Sequence, residues 1–377
     1  MARKITKRQA KQVAKQLKKA PLWVSITAIV LAILIAGGYY LYTTFFNKKQ
    51  YIPPVGELEF HFLTLGNGES GDSIYVRAGD VDILIDAGSD YDSVNAIHSY
   101  LGDYISDGKL EYVIATHAHL DHIAAFAGDS SNQSLFDLYE CKTIIDFPKT
   151  ESTSATYGRY VSKRDAEVAQ GAVHYTALEC YKETNGAKRV FSLSESVNME
   201  ILYNYYYDHK ATEENDYSVC VQFSHGSRKF LFTGDLELAG EEKLIEYNDL
   251  EQVELFKAGH HGSKTSSNEC LLEVIKPKIC VITCVAGNNQ YSDDKNSQFP
   301  TQHLINRLYK YNIVNVYVTS IGDPVYTGGA DYADFNGTVK VISEEDKDVY
   351  VSCSKNNTVL KDSEWFSENR KWQIVAL

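Results

Sequence analysis

Three histidines and one aspartate lie close together in the segment THAHLDH, residues 116–122. The whole chain has 11 histidines in 377 residues, so this concentration is unusual. In an extended segment, side chains two positions apart point the same way, so His117 and His119 could bind one ion. Asp121 and His122 follow where a helix is predicted to begin, and they could turn toward a second ion. Neutral imidazoles and carboxylates are ligands of zinc and manganese, so the segment predicts a metal site.

Three other apolar runs end in residues of the same kinds. Asp86 follows VDILI, Asp235 follows KFLFTG, and His260-His261 follow VELFKAG. An aspartate at the end of a strand is often only a turn residue, so each position carries little weight alone. Taken together, they add two carboxylates and a further imidazole to the candidate ligands, and a carboxylate at Asp235 could bridge two ions.

The chain from residue 57 onward consists of short apolar runs broken by Gly and Asp. The predicted strands are LEFHFLTLG, DSIYVRAG, DVDILIDAG, EYVIATH, NMEILYNYYY, YSVCVQF, KFLFTGD, VELFKAG, ICVITCV and VNVYVTS. Helices are predicted over 92–106 and 120–128, and the more polar region 150–190 is predicted to be helical with loops. Two blocks of mixed strands and helices indicate an α/β fold with two sheets sandwiched between helices. The predicted domain spans 57–345, and 346–377 is a C-terminal extension that packs on it or trails it.

The amino-terminal segments predict a membrane anchor. Residues 1–20 form a basic segment, with eight Lys or Arg in the first 19 residues. Residues 21–46 contain an uncharged stretch long enough to cross a bilayer, and 47–56 form a tether. A cleaved signal peptide is the alternative. A signal peptide would have a shorter apolar core than this stretch, and no clear cleavage site of small residues follows it here.

The flanking charges predict the orientation of this single-pass anchor in the cell membrane. The basic side stays in the cytoplasm, which places residues 51–377 outside. Anionic lipid is the simplest partner for residues 1–19, and no protein partner is identifiable from the sequence. Residues 51–377 hold 27 basic and 50 acidic side chains, a net charge of -23, which counts against nucleic-acid binding by a basic patch. The seven cysteines include no CxxC pair and are expected to be mostly buried and reduced.

The order of these motifs along the chain resembles that of a known family. Asp86, HAHLDH at 117–122, Asp235 and GHHGS at 259–263 together resemble the metallo-β-lactamase superfamily, over about residues 57–345. The resemblance implies an αββα sandwich with a one- or two-metal site formed by strand-end loops. The stretches LGNGESGDSIYV, LIDAG, FLFTGDLE and HHGSKTSSNE most resemble the hydrolase domain of ComEC-type DNA-uptake channels, and teichoic-acid phosphorylcholine esterases have a similar pattern.

The resemblance also implies a set of metal ligands, namely His117, His119, Asp121, His122, Asp235 and His261. The first two would bind one ion, Asp121, His122 and His261 would bind the other, and Asp235 would bridge the two. The cofactor would be one or two divalent ions, Zn²⁺ ahead of Mn²⁺.

Three of the carboxylates are the candidate catalytic residues. Asp235 would hold the nucleophile, and Asp86 or Asp121 would orient it; Asp86 usually orients a ligand from outside the coordination shell. His260 is the alternative to His261, which is preferred because it immediately precedes a glycine.

The chain departs from the superfamily pattern in two places. A further histidine ligand usually precedes the strand that corresponds to YSVCVQF, where this chain has Glu214, Asn215 and Asp216; His209, upstream, is another possible substitute. A histidine before proline, common in the last third of ComEC-like domains, is replaced by Phe299-Pro300, with His303 nearby.

The implied chemistry is hydrolysis. A divalent ion lowers the pKa of bound water from 15.7 to about 7, and two ions suit phosphodiester cleavage by a metal-bound hydroxide. The sequence therefore favours a membrane-anchored, extracytoplasmic, metal-dependent phosphodiesterase that acts on DNA. Alternatives are a cell-wall phosphorylcholine or teichoic-acid esterase and, in another class, a non-catalytic surface protein with a degraded metal site.

Overall fold

The computed structural model describes residues 58–377. The predicted basic segment 1–20, anchor 21–46 and tether 47–56 lie outside these residues. Between residues 58 and 377, none of the helices has the length and apolar character needed to span a bilayer.

The described chain alternates short strands and helices. Its strands are β1 (Leu58–Phe62), β2 (Ile74–Ala78), β3 (Val81–Ile85), β4 (Lys109–Ala115), β5 (Glu140–Asp146), β6 (Val173–Thr176), β7 (Val190–Ser192), β8 (Val197–Ile201), β9 (Val221–His225), β10 (Arg228–Phe232), β11 (Leu255–Lys257), β12 (Ile279–Ala286), β13 (Asn315–Ile321), β14 (Ala333–Asp334), β15 (Val339–Ser343) and β16 (Tyr350–Cys353). Its α-helices are α1 (Ser93–Leu101), α2 (Leu120–Ala127), α3 (Ala155–Gln170), α4 (Ala177–Lys182), α5 (Leu238–Tyr247), α6 (Glu269–Ile275), α7 (Gln302–Lys310), α8 (Pro324–Thr327) and α9 (Glu364–Asn369).

The strands form two mixed sheets of eight strands each. The first has the order β16-β15-β1-β2-β3-β4-β5-β6, and the second has the order β14-β13-β12-β11-β10-β9-β8-β7. Within them, β3 to β6 are parallel, and so are β10 to β13. The predicted two-sheet α/β architecture is confirmed.

Apolar packing holds the sheets and helices together. Phe60 of the first sheet lies 5.3 Å from Phe223 and 4.9 Å from Phe230 of the second, measured between ring centroids, so the two inner faces meet. On the outer side of the second sheet, α7 buries Leu304 and Leu308, one turn apart, and its amino end is capped by the Thr301 side chain.

The parallel strands position the candidate ligands. Chains leaving parallel neighbours in the same direction emerge at one edge of a sheet. Asp86 follows β3 and segment 117–122 follows β4, while Asp235 follows β10 and His261 follows β11. Each pair of neighbouring parallel strands therefore delivers two groups of polar side chains to the same edge.

Two strand predictions were too long. NMEILYNYYY is a strand only over Val197–Ile201, because the Asn204 side chain then caps a 3₁₀ turn at Tyr205–Tyr207. YSVCVQF becomes a strand only at Val221, since Glu214–Tyr217 forms another 3₁₀ turn before it. The predicted helix 92–106 is likewise shorter and ends at Leu101.

The last residues of the chain pack on the domain. β16 pairs with β15 at the edge of the first sheet. Trp365 and Phe366 of α9 are buried in the core that lies outside the second sheet. Segment 346–377 therefore contributes to both sides of the sandwich.

Candidate metal centre

The side chains at the strand ends meet in one connected cluster. Four groups of three residues each offer ligand atoms within 4.8 Å of one another: His117–His122–Asp235, Asp121–His122–His261, Asp72–Asp86–His122 and Asp72–Asp235–His261. The groups overlap at His122 and Asp235, which link the ends of β4 and β10. We call this cluster the metal centre.

Asp86 fixes the orientation of His122. Asp86 has a positive φ of 58°, a left-handed conformation that aspartate tolerates better than most residues. Its carboxylate accepts hydrogen bonds of 2.7 Å from both the backbone N–H and the hydroxyl of Thr116, and it lies 2.7 Å from His122 Nδ1. His122 Nε2 is thereby directed at Asp235, 3.1 Å from Oδ2. A carboxylate behind a histidine is the usual way to hold an imidazole toward a metal.

His261 is oriented in a similar way from the opposite sheet. Its Nδ1 lies 3.0 Å from the carbonyl oxygen of Thr283, and its Nε2 lies 3.3 Å from Asp235 Oδ2 and 3.5 Å from Asp121 Oδ2. The neighbouring His260 turns away, with Nδ1 3.1 Å from the Thr265 hydroxyl. The structure thus places His261, and not His260, in the metal centre.

The remaining histidine pair lies beside His122. His117 Nε2 and His119 Nδ1 are 3.0 Å apart, and of the two only His117 belongs to one of the four ligand groups. His117 is fully buried, whereas His119 is exposed. Burial lowers the pKa of His117 well below its ordinary value, which keeps this imidazole neutral and able to bind an ion.

The donor set fits a divalent ion. His122 Nε2 and His261 Nε2 are both buried, make no well-aligned hydrogen bond, and lie 3.1 and 3.3 Å from the same oxygen, Asp235 Oδ2. One carboxylate oxygen near two imidazole nitrogens is a donor set of the kind that zinc and manganese bind. An ion bound to these two nitrogens and to Asp235 would satisfy all three.

Electrostatics in the ion-free centre depend on its carboxylates. Burial alone would lower the pKa of His122, but Asp235 and Asp86 raise it to about 10. Burial likewise opposes the charge on His261, yet Asp235 and Asp72 raise its pKa well above the ordinary value. Both imidazoles therefore carry a proton when no ion is bound, and ion binding must displace those protons.

A buried ion pair that the sequence analysis did not identify backs the metal centre. Lys257 is only 1% exposed; its ammonium pairs with Asp72 and lies 3.3 Å from Asp235 Oδ1. Asp72 also accepts a hydrogen bond from the Thr283 hydroxyl. Because Lys257 holds Oδ1 of Asp235, the other oxygen, Oδ2, faces His122 and His261. The sequence offered one sign of this ion pair, namely a lysine in the otherwise apolar strand LFK.

The segment in place of the usual histidine ligand makes other contacts. Glu214 accepts hydrogen bonds from Thr150, 2.5 Å away, and from the backbone of Glu151. Asn215 donates to Glu237 at 2.9 Å and lies 3.4 Å from His260 Nδ1, while its buried Oδ1 has no partner.

The other proposed substitutes also lie outside the four ligand groups. Asp216 accepts a hydrogen bond from the backbone N–H of Glu237. His209 is stacked on Tyr205, with ring centroids 3.7 Å apart, and His303 lies in α7.

A known family model covers the residues of the metal centre. Residues 66–128 and 212–284 match the model of the metallo-beta-lactamase superfamily, and these ranges contain all the clustered ligands. Among solved structures, the metallo-beta-lactamase fold protein YhfI from Bacillus subtilis is 14% identical with a TM-score of 0.38, covering 71% of this chain and 97% of that one.

Similar curated proteins come from competence systems. ComE operon protein 3 of Bacillus subtilis is 23% identical over 208 residues, which cover 54% of this chain and 23% of that protein. Recombination protein 2 of Haemophilus influenzae is 31% identical over 98 residues, 26% of this chain and 11% of that protein. The chain thus spans a quarter or less of these relatives. The predicted resemblance is confirmed: the chain carries a metallo-beta-lactamase superfamily domain and is related to ComEC-type competence proteins.

Proposed function

We propose that this protein is a metal-dependent hydrolase that cleaves phosphodiester bonds, with DNA as its substrate. The observation that carries the proposal is the overlap of two ligand groups, His117–His122–Asp235 and Asp121–His122–His261. Two overlapping groups fit two neighbouring ions, and paired ions suit phosphodiester hydrolysis because they stabilise both the attacking and the departing oxygen.

The residues of the metal centre have separable roles in this reaction. When bound, a divalent ion supplies Lewis acidity and lowers the pKa of water. Asp86 and the Thr283 carbonyl hold His122 and His261 in place, so that little reorganisation is needed on binding. Asp121, at the solvent side, is placed to accept a hydrogen bond from the attacking water.

The names of the relatives support DNA as the substrate. Two similar curated proteins are named a recombination protein and a competence protein. The net charge of -23 over residues 51–377 repels a polyanion at long range. Productive binding therefore depends on the metal centre itself, and activity should rise with ionic strength until the repulsion is screened.

A phosphorylcholine substrate would need open aromatic rings for its quaternary amine. Two of the tyrosines after β8 do not offer them. Tyr205 is stacked between His209 at 3.7 Å and Tyr247 at 5.9 Å, and Tyr207 is fully buried. The esterase alternative is therefore an outcome of the test below.

The test uses the purified full chain in mild detergent, loaded separately with zinc and manganese. Single-stranded DNA and p-nitrophenyl phosphorylcholine are assayed in parallel, with Asp121→Ala as the inactive variant. Asp165→Ala, an exposed aspartate on α3, is the matched control. DNA cleavage lost only in the Asp121 variant supports the proposal. Hydrolysis of the choline ester alone replaces it with the esterase, and inactivity of an ion-free protein supports a degraded site.

We also propose that residues 21–46 anchor the protein in the cell membrane with residues 51–377 outside. The uncharged stretch and the eight basic residues that precede it support this placement, and residues 1–19 would contact anionic lipid at the inner leaflet. Protease added to intact, wall-stripped cells should remove residues 51–377. Full protection of that region would contradict the orientation.

A further inference from the structure

A tyrosine lies at the solvent side of the metal centre. The hydroxyl of Tyr291, in the loop between β12 and α7, donates a 2.6 Å hydrogen bond to Asp121 Oδ2. That same oxygen is 3.5 Å from His261 Nε2. Tyr291 is 49% exposed, whereas His261 behind it is buried. The hydroxyl thus stands between solvent and the buried ligands.

The loop that carries Tyr291 is tied to the strand-end loop that carries Asp72. Asn288 donates a 2.6 Å hydrogen bond to the carbonyl oxygen of Gly68, and Gln290 accepts one of 2.7 Å from the backbone of Ser70. These bonds connect residues far apart in the chain. Tyr291 is therefore held by the same elements that build the metal centre.

An apolar wall flanks the hydroxyl. The ring of Tyr291 packs on Phe299, with centroids 5.1 Å apart, and Phe299 lies 6.3 Å from the ring of His261. Phe299 occupies the position before proline where ComEC-like domains commonly carry a histidine. A hydrogen bond made beside such a wall is stronger than one in open water, because the local dielectric constant is lower.

We infer that Tyr291 is a catalytic residue whose hydroxyl donates a hydrogen bond to the departing oxygen of the substrate; this rests on the proposed phosphodiesterase function. A phenolic hydroxyl rotates about its C–O bond, so its hydrogen can move from Asp121 to a substrate oxygen above the metal centre. In the reaction, a water oxygen bonds to phosphorus and its released proton passes to solvent. The bond from phosphorus to the departing oxygen breaks, its electron pair stays on that oxygen, and a solvent proton completes the alcohol.

This role predicts a dependence on the leaving group. The alkoxide that leaves from a DNA strand concentrates its charge on one oxygen and needs a donor beside it. A p-nitrophenolate spreads the charge over its ring and departs without one. Removal of a single donor to a developing oxyanion typically costs on the order of 100-fold in rate.

The experiment compares Tyr291→Phe with the wild-type full chain on two substrates, oligothymidylate and thymidine 5′-p-nitrophenyl phosphate. We expect kcat on oligothymidylate to fall about 100-fold, kcat on the p-nitrophenyl ester to change little, and metal content to stay unchanged. Tyr350→Phe is the matched control, since Tyr350 is also exposed and donates to a carboxylate, Glu344, at 2.9 Å. It should affect neither substrate.

The outcomes separate this inference from the function on which it rests. Equal losses of kcat on both substrates, or no loss on either, would overturn the role of Tyr291. Neither result would contradict the proposed phosphodiesterase function. A wild-type protein that carries metal but hydrolyses neither substrate would overturn both.

Discussion

Two networks of histidine and carboxylate lie at the ends of parallel strands, one at the end of β5 and the other in the metal centre, and they differ in how their nitrogen atoms are paired. At the end of β5, Asp146 accepts hydrogen bonds from His174 and Arg164 at 2.8 Å and from Tyr160 at 3.0 Å. This network is closed, because each of its three donors makes a hydrogen bond to the carboxylate. In the metal centre, His122 Nε2 and His261 Nε2 both lie near one oxygen, Asp235 Oδ2, at 3.1 and 3.3 Å, and neither makes a well-aligned hydrogen bond. The comparison indicates that ligand atoms converging on one point, more than residue type, distinguish the metal centre from the structural network.

The largest loss of activity is expected from substitution of Asp235, the carboxylate on which His122 and His261 converge. Asp235→Asn removes the charge of the oxygen that faces both His122 and His261. We expect activity to fall by about 1,000-fold or more, because an ion supplies several kcal/mol of charge stabilisation. Steady-state hydrolysis and metal analysis together measure this. Retention of both activity and metal would contradict the role given to Asp235.

Substitution of the buried Lys257 is expected to lower the stability of the protein most when no ion is bound. Lys257→Met leaves the carboxylates of Asp72 and Asp235 buried without their ammonium. We expect the free energy of unfolding to fall by about 3–5 kcal/mol in the presence of a chelator. Urea denaturation tests this, with Lys278→Met as control because that lysine forms an exposed ion pair with Glu254. Equal stability of the two variants would show that Lys257 is dispensable.

Metal binding should depend on pH with a definite sign. The pKa of His122 is raised to about 10 and that of His261 is also raised, so both are protonated in the ion-free protein at neutral pH. Binding must release these protons, and affinity should increase by about tenfold per pH unit for each one released. Zinc titration calorimetry in buffers of different ionisation enthalpy counts the protons. Binding without proton release would contradict the charge state inferred here.

The smallest effect is expected from substitution of Asp146 in the closed network, and it should be confined to stability. Asp146→Asn should destabilise the fold by about 1–3 kcal/mol, since it weakens hydrogen bonds of a buried carboxylate to Tyr160, His174 and Arg164. Metal content and catalytic activity should remain at wild-type values. If this variant lost its metal, the two networks would not be independent.

The sequence predicted most of the metal centre because its ligands follow apolar strands in recognisable local motifs. Asp86, segment 117–122, Asp235 and His261 each begin within four residues of the end of a strand, and parallel pairing brings such ends together. The overlong predicted strands at 198–207 and 217–223 have a different cause. There the side chain of Asn204 caps one turn and donates to the backbone of Asp216 in the other, which apolar patterning does not report.

Three functional candidates were beyond sequence reasoning. Asp72 and Lys257 pair across the two sheets, and Tyr291 reaches Asp121 from a loop late in the chain. No local sequence motif predicts such contacts, because they form only when the two sheets pack face to face. A charged residue in an apolar strand, as at Lys257, is the one sign that periodicity analysis can use, since an unpaired buried charge is too costly to retain.

The measurement that tests the central claim most directly is the metal content of the purified full chain. Wild type, Asp235→Asn and Asp146→Asn are each incubated with excess zinc or manganese, freed of unbound ion by gel filtration, and analysed by mass spectrometry of the elements. An open network predicts one to two equivalents in the wild type and in Asp146→Asn, and far less in Asp235→Asn. Wild-type protein that retains well below one equivalent of either ion would contradict the assignment of a metal centre.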